Sequence, residues 1–149
     1  MNKLNNKGYL TIEIILASVM TFAIAFFLIE ITVKLVNKTD DYNIGTLFTT
    51  DKALIIKNIK QRIDKEGSIS NINKNSDTLC TIGTKDLTIN NDNRTITYGD
   101  YTKKINDSIK GDITITKCLK QNEYIVVQIN INDIFTDESR DINIVTYNG

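Results

Sequence analysis

"NNKGYLTIEIILASVMTFAIAFFLIEI", residues 5–31, sets the frame for the whole chain. From Ile14 to Ile29 every residue is apolar except Ser18 and Thr21, and beyond Glu30 the pattern continues through Ile31, Val33, Leu35 and Val36. That run is long enough to cross a bilayer as one helix, which takes roughly 20 largely apolar residues. Lys3 and Lys7 precede it and no acid stands before Tyr9. The positive flank therefore holds the N-terminus in the cytoplasm and places the bulk of the chain outside. Glu13 is the anomaly, because an ionised carboxylate within a bilayer costs on the order of 3 kcal/mol unless it is hydrated or paired.

The rest of the composition narrows the chemistry. The chain has 149 residues, with 18 basic and 18 acidic, which suits one ordinary domain behind the N-terminal run. Balanced charge leaves no electrostatic footprint for nucleic acid, so direct nucleic-acid binding is not expected. There is no histidine, and Cys80 and Cys118 are too far apart for a zinc motif. No phosphate-cradling glycine loop, nucleophile elbow or H-E-x-x-H occurs. Asp133, Asp137, Glu138 and Asp141 fall in one polar segment that reads as a solvated loop. "NNDN" and "NDIFTDESRD" lack the ligand spacing of a calcium loop. The chain is read as a non-enzyme with no cofactor and no metal.

Three readings compete for residues 5–31. In a plain signal anchor, Glu13 sits at headgroup level and snorkels. In a cleaved secretory signal, Ala23-Ile24-Ala25 is the processing site, but cutting there leaves Phe26, Phe27, Leu28 and Ile29 at the head of a soluble protein. The third reading takes a short Lys/Asn leader ending at Gly8, a hydrophobic helix starting at Tyr9, and Glu13 at the fifth position after the glycine. On these residues the chain resembles the type IV pilins and the related pseudopilins of secretion and DNA-uptake machines. Tyr9 stands where that family most often has Phe, and no proline kinks the helix.

The resemblance implies a defined life history. A prepilin peptidase would cut the Gly8–Tyr9 bond and N-methylate Tyr9. The new α-ammonium would lie about one helical turn from Glu13. In a filament Glu13 would pair with the N-terminus of a neighbouring subunit and set its register, as a buried polar residue does in a coiled coil. The implied partners are the peptidase, other pilin or pseudopilin subunits, a filament assembly platform, and membrane lipid before assembly. The implied location is the cytoplasmic membrane, single-pass with N inside and C outside, and then an extracellular or cell-envelope filament. The implied role is that of a minor pilin or pseudopilin in DNA uptake, protein secretion or adhesion. The rival is a non-assembling single-pass protein whose outer domain binds a partner.

Downstream, "VNKTDDYNIG", Val36–Gly45, is expected to loosen or end the first helix. Phe48, Ile55, Ile59 and Ile63 then recur near a helical period up to Gly67, a natural C-cap. "SISNINKNSD" reads as a polar loop. Afterwards the period becomes two, and strands are predicted at Thr78–Ile82, Asp86–Ile89, Arg94–Tyr98, Tyr101–Ile105, Asp112–Leu119, Glu123–Ile131 and Asp141–Tyr147. Asn90–Asn93 and Gly99-Asp100 read as hairpin turns. In the sixth strand Ile125, Val127, Ile129 and Ile131 share one face while Tyr124, Gln128 and Asn130 take the other. The expected fold is α+β: a long membrane-spanning helix continuing into an amphipathic helix packed on an antiparallel meander. The segments are a leader over 1–8, an apolar helix over 9–36, a hinge and amphipathic helix over 37–67, and a sheet domain over 68–149.

Cys80 and Cys118 both fall in predicted strands. Outside the membrane they could close a bridge, with a stabilisation of roughly 3–4 kcal/mol. Two buried thiols are the alternative. Parity does not decide, since Cys80 shares a face with Ile82 but Cys118 shares one with Thr114 and Thr116.

Overall fold

The computed structural model describes residues 6–133 and 138–148. Lys3, with the first part of the leader, and Asp137 lie outside the described residues. The chain is α+β. Helix α1, Asn6–Glu66, is followed by β1 (Ile72–Lys74), β2 (Leu79–Ile82), β3 (Lys85–Asn90), β4 (Thr95–Tyr98), β5 (Tyr101–Lys104), β6 (Asp112–Gln121), β7 (Tyr124–Asp133) and β8 (Glu138–Tyr147). The strands form a five-stranded sheet in the order β1-β2-β3-β4-β5 and a three-stranded sheet β6-β7-β8, antiparallel throughout. Two compact units divide the chain after Asn43.

The break expected at Val36–Gly45 is absent, and α1 continues through it. The segment holds a good helix former, Lys38, among weaker ones, and one glycine, which costs about 1 kcal/mol against alanine, whereas a proline would cost about 3. Hydroxyls in and just beyond it also bond within the helix: Thr39 donates to the Leu35 carbonyl at 2.8 Å and Thr49, past its end, to that of Gly45 at 2.9 Å.

In the second unit, Ile55, Ile59 and Ile63 are fully buried at four-residue spacing, and they join Ile82, Leu87, Ile96, Ile113, Ile129 and Ile144 in one core. Polar residues on either side of that stripe fasten the helix. Asp51 accepts from Lys103 at 2.7 Å and from the backbone N–H of Asn106 at 3.1 Å. Arg62 donates to Asp100 at 2.9 Å and lies 4.9 Å over the Tyr101 ring. Glu66 meets Lys85 at 2.8 Å, and the Thr146 hydroxyl donates to Asp64. The helix ends at Gly67, whose φ of 72° is the left-handed C-cap conformation that glycine adopts without penalty.

A single meander is replaced by two sheets because the chain leaves the first one after β5. Ile105 and Ile109 in the connection are both fully buried, so this loop belongs to the core. Arg94 holds it, donating to the carbonyls of Gly111 at 2.9 Å and of Ile109. The edge strand β6 is then joined to the β1–β2 and β3–β4 turns of the first sheet. Asn91 imitates a strand residue, accepting from the Ile113 N–H at 2.9 Å and donating to its carbonyl at 3.2 Å. Ile115 N–H donates to the Asp77 carbonyl at 2.6 Å.

Two local expectations are corrected. "SISNINKNSD" contains β1, which pairs Ile72 with Ile82. A three-residue strand with one apolar side chain carries no readable period. The acidic segment is not a continuous loop, since Asp133 ends β7 while Glu138 and Asp141 belong to β8, where Asp141 accepts from Asn130 at 2.8 Å.

Candidate functional site

The first unit carries the chemically unusual surface. Within α1 the apolar stretch has a mean hydropathy of 2.5, and none of it is buried by the rest of the chain. Phe26 is 75% exposed and Ile12 66%. Such a stripe, left open to water, would forfeit roughly 25 cal/mol per Å² of apolar area. Its polar groups are turned inward instead: Ser18 donates to the Ile15 carbonyl, Thr21 to Ala17 and Thr32 to Leu28, each at 2.8 Å. Internal satisfaction of that kind is what a hydrocarbon environment demands. The helix is thus long and apolar enough to cross a membrane.

Two acids interrupt the stretch, and they differ. Glu30 meets Lys34 at 2.6 Å, one turn on along the same face. Glu13 is exposed, and among the described residues no ion pair or hydrogen bond engages it. Gly8 and Tyr9 lie within α1, which begins at Asn6 rather than at Tyr9 as the sequence suggested. Tyr9 and Glu13 are four residues apart in α1, about 6 Å along its axis.

The cysteines lie in the other unit and are bonded. Cys80 and Cys118, 38 residues apart with Cα atoms 6.4 Å apart, tie β2 to β6. Parity failed to decide this because β6 has a bulge between Ile115 and Lys117, where Thr116 is the extra residue. The bulge returns Cys118 to the buried face of Ile113 and Ile115.

Sequence reading also missed the ionisable groups around the helix. Burial, and then the neighbouring Glu66 carboxylate, push the Tyr98 phenol well above its ordinary range. The Arg62 guanidinium holds the Asp100 carboxyl below its ordinary range. Each contact joins residues more than thirty positions apart, Tyr98 to Glu66 and Arg62 to Asp100, so no local pattern announces it. Among the described residues, no group of three or more His, Cys, Asp or Glu side chains is placed to hold a metal ion.

No family model, no curated protein and no solved structure matches this chain. The open apolar helix, with one acid satisfied and one not, is the feature on which a functional reading rests.

Proposed function

We propose that the chain is a subunit of a type IV pilus-like filament, a minor pilin or pseudopilin, inserted as a membrane-anchored precursor and assembled through α1. Cleavage of the Gly8–Tyr9 bond would create an α-ammonium, with Tyr9 as the methylated residue. The observation that carries the reading is that Glu13 has no ion-pair or hydrogen-bond partner among the described residues, while Glu30 on the same apolar helix is paired with Lys34. A carboxylate in apolar surroundings is retained where something neutralises it, and removing one partner of such a pair costs about 3–5 kcal/mol. The N-terminus of another copy supplies that charge when the helices stagger by about one turn. The serviced machine would be one of DNA uptake, protein secretion or adhesion.

Two substitutions test this in the native cell. Glu13→Ala is expected to leave membrane insertion unchanged and to remove the subunit from sheared surface filaments. Gly8→Ala is expected to leave the leader attached. Glu13→Ala subunits recovered from filaments at the wild-type level would refute the role given to the charge. Normal function of both variants, with not even the parent chain recovered in sheared filaments, is what a non-assembling single-pass binding protein would give.

A further inference from the structure

The outer face of the three-stranded sheet departs from the alternation that governs the rest of it. Leu119, Val126 and Val145 stand side by side across β6, β7 and β8, and the next row toward the β6–β7 turn holds Tyr124 and Tyr147. Leu119, Tyr124, Val145 and Tyr147 are each between 41% and 58% exposed, and the two tyrosine rings meet edge to face at 5.7 Å. In the other direction the face turns polar at once, with Lys117, Gln128 and Asn143 forming the adjoining row. A contiguous apolar block rimmed by polar residues on an otherwise polar face marks an interaction surface.

We infer that this face docks against the same face of a second copy of the chain. The block itself carries no charge, so a copy meets a copy without like-charge repulsion. Its two ends carry opposite signs: Lys117 on one side and Glu123, in the turn, on the other, both exposed. Among the described residues neither takes part in an ion pair. Lys117 pairs with Gln128 and Glu123 adjoins Tyr124, so the midpoint between the two charges falls between the rows of Val126 and Tyr124, at the centre of the apolar block. A two-fold axis lying in the interface and crossing the strands at that midpoint sets each Lys117 over the partner's Glu123, the self-complementarity an isologous contact requires.

Area sets the strength of the contact. The block offers on the order of 400 Å², against roughly 800 Å² per partner in a specific stable interface. It therefore does not hold two free copies together in dilute solution. Copies whose α1 helices share one membrane are confined at high effective concentration, and a weak contact becomes populated there. The contact needs anchoring but neither cleavage after Gly8 nor filament growth.

The test uses full-length Gly8→Ala chain, bearing donor or acceptor fluorophores, in phosphatidylcholine liposomes at varied protein-to-lipid ratios. Energy transfer above the level of random proximity is expected. Lys117→Glu alone and Glu123→Lys alone should each weaken the association about tenfold, because each puts like charges opposite one another at both ends. Mixing the Lys117→Glu chain with the Glu123→Lys chain should restore it, since both pairs are then satisfied in the mixed dimer. Transfer at the random level in the parent chain, or single variants that associate as the parent does, or a mixture that fails to recover, would overturn the inference. The mixture arm separates lost charge pairing from misfolding.

Discussion

Gly83 shows how far a single residue is determined by its place. Its φ is 65°, and a Cβ there would stand 2.6 Å from Glu66 Oε2. That oxygen belongs to the carboxylate held by Lys85 and Tyr98, so making room disturbs the contacts that close the helix against the sheet. Gly83→Ala is expected to lower unfolding stability by about 1–3 kcal/mol, measured by urea denaturation of the detergent-solubilised chain. Tyr98 gives a pH signature. Its folded pKa lies above the ordinary tyrosine value of 10.0, so its contribution is fully present below about pH 10 and drains away as pH rises toward the folded value. Tyr98→Phe should therefore flatten the loss of thermal stability above about pH 10. An unchanged alkaline limb would mean that Tyr98 is not the group responsible. Asp100 runs the other way: its folded pKa is depressed, so the Arg62 contact is present above the ordinary carboxylate range and lost as pH falls through the folded value.

At the scale of elements, the bulge in β6 decides the covalent structure. Deleting Thr116 would remove the extra residue, so that Ile115, Lys117 and Cys118 follow in strict alternation and Cys118 stays on the buried face. Thiol counting by mass spectrometry should then still find the bridge between Cys80 and Cys118 and no free cysteine. Two free cysteines would show that parity in β6 is not what aims Cys118. Cys80→Ser/Cys118→Ser keeps the register and removes only the bond, with an expected loss of about 4 kcal/mol for a loop of this length. Elements with many repeats of one period were legible in the sequence: Ile55, Ile59 and Ile63 announced a buried helix face, and Ile125 to Ile131 announced the inner face of β7. The bulge was not, because one inserted residue inverts a period-two pattern without leaving a mark of its own. Nor was the continuity of α1 through Val36–Gly45, where local propensities are weak enough for helix context to override them.

At the scale of the whole chain, the α+β class follows from the switch between a helical period before Gly67 and a period of two after it. The division into two sheets does not, since it depends on the buried loop of Ile105 and Ile109 and on Arg94, which stands beside that loop at the start of β4. The candidate site was legible in part. Gly8, Tyr9 and Glu13 stand out by sequence alone, but the contrast between a satisfied Glu30 and an unsatisfied Glu13 needs the helix itself. On the proposed reading, membrane insertion and filament assembly would both use that helix, and processing of its N-terminus would separate them. The deciding observation is the mass of the N-terminal peptide released from the protein purified from its native cell. A peptide that begins at N-methylated Tyr9 is the expected result. A peptide that retains Met1 and the leader through Gly8 would contradict the assembly reading and leave α1 as a plain anchor.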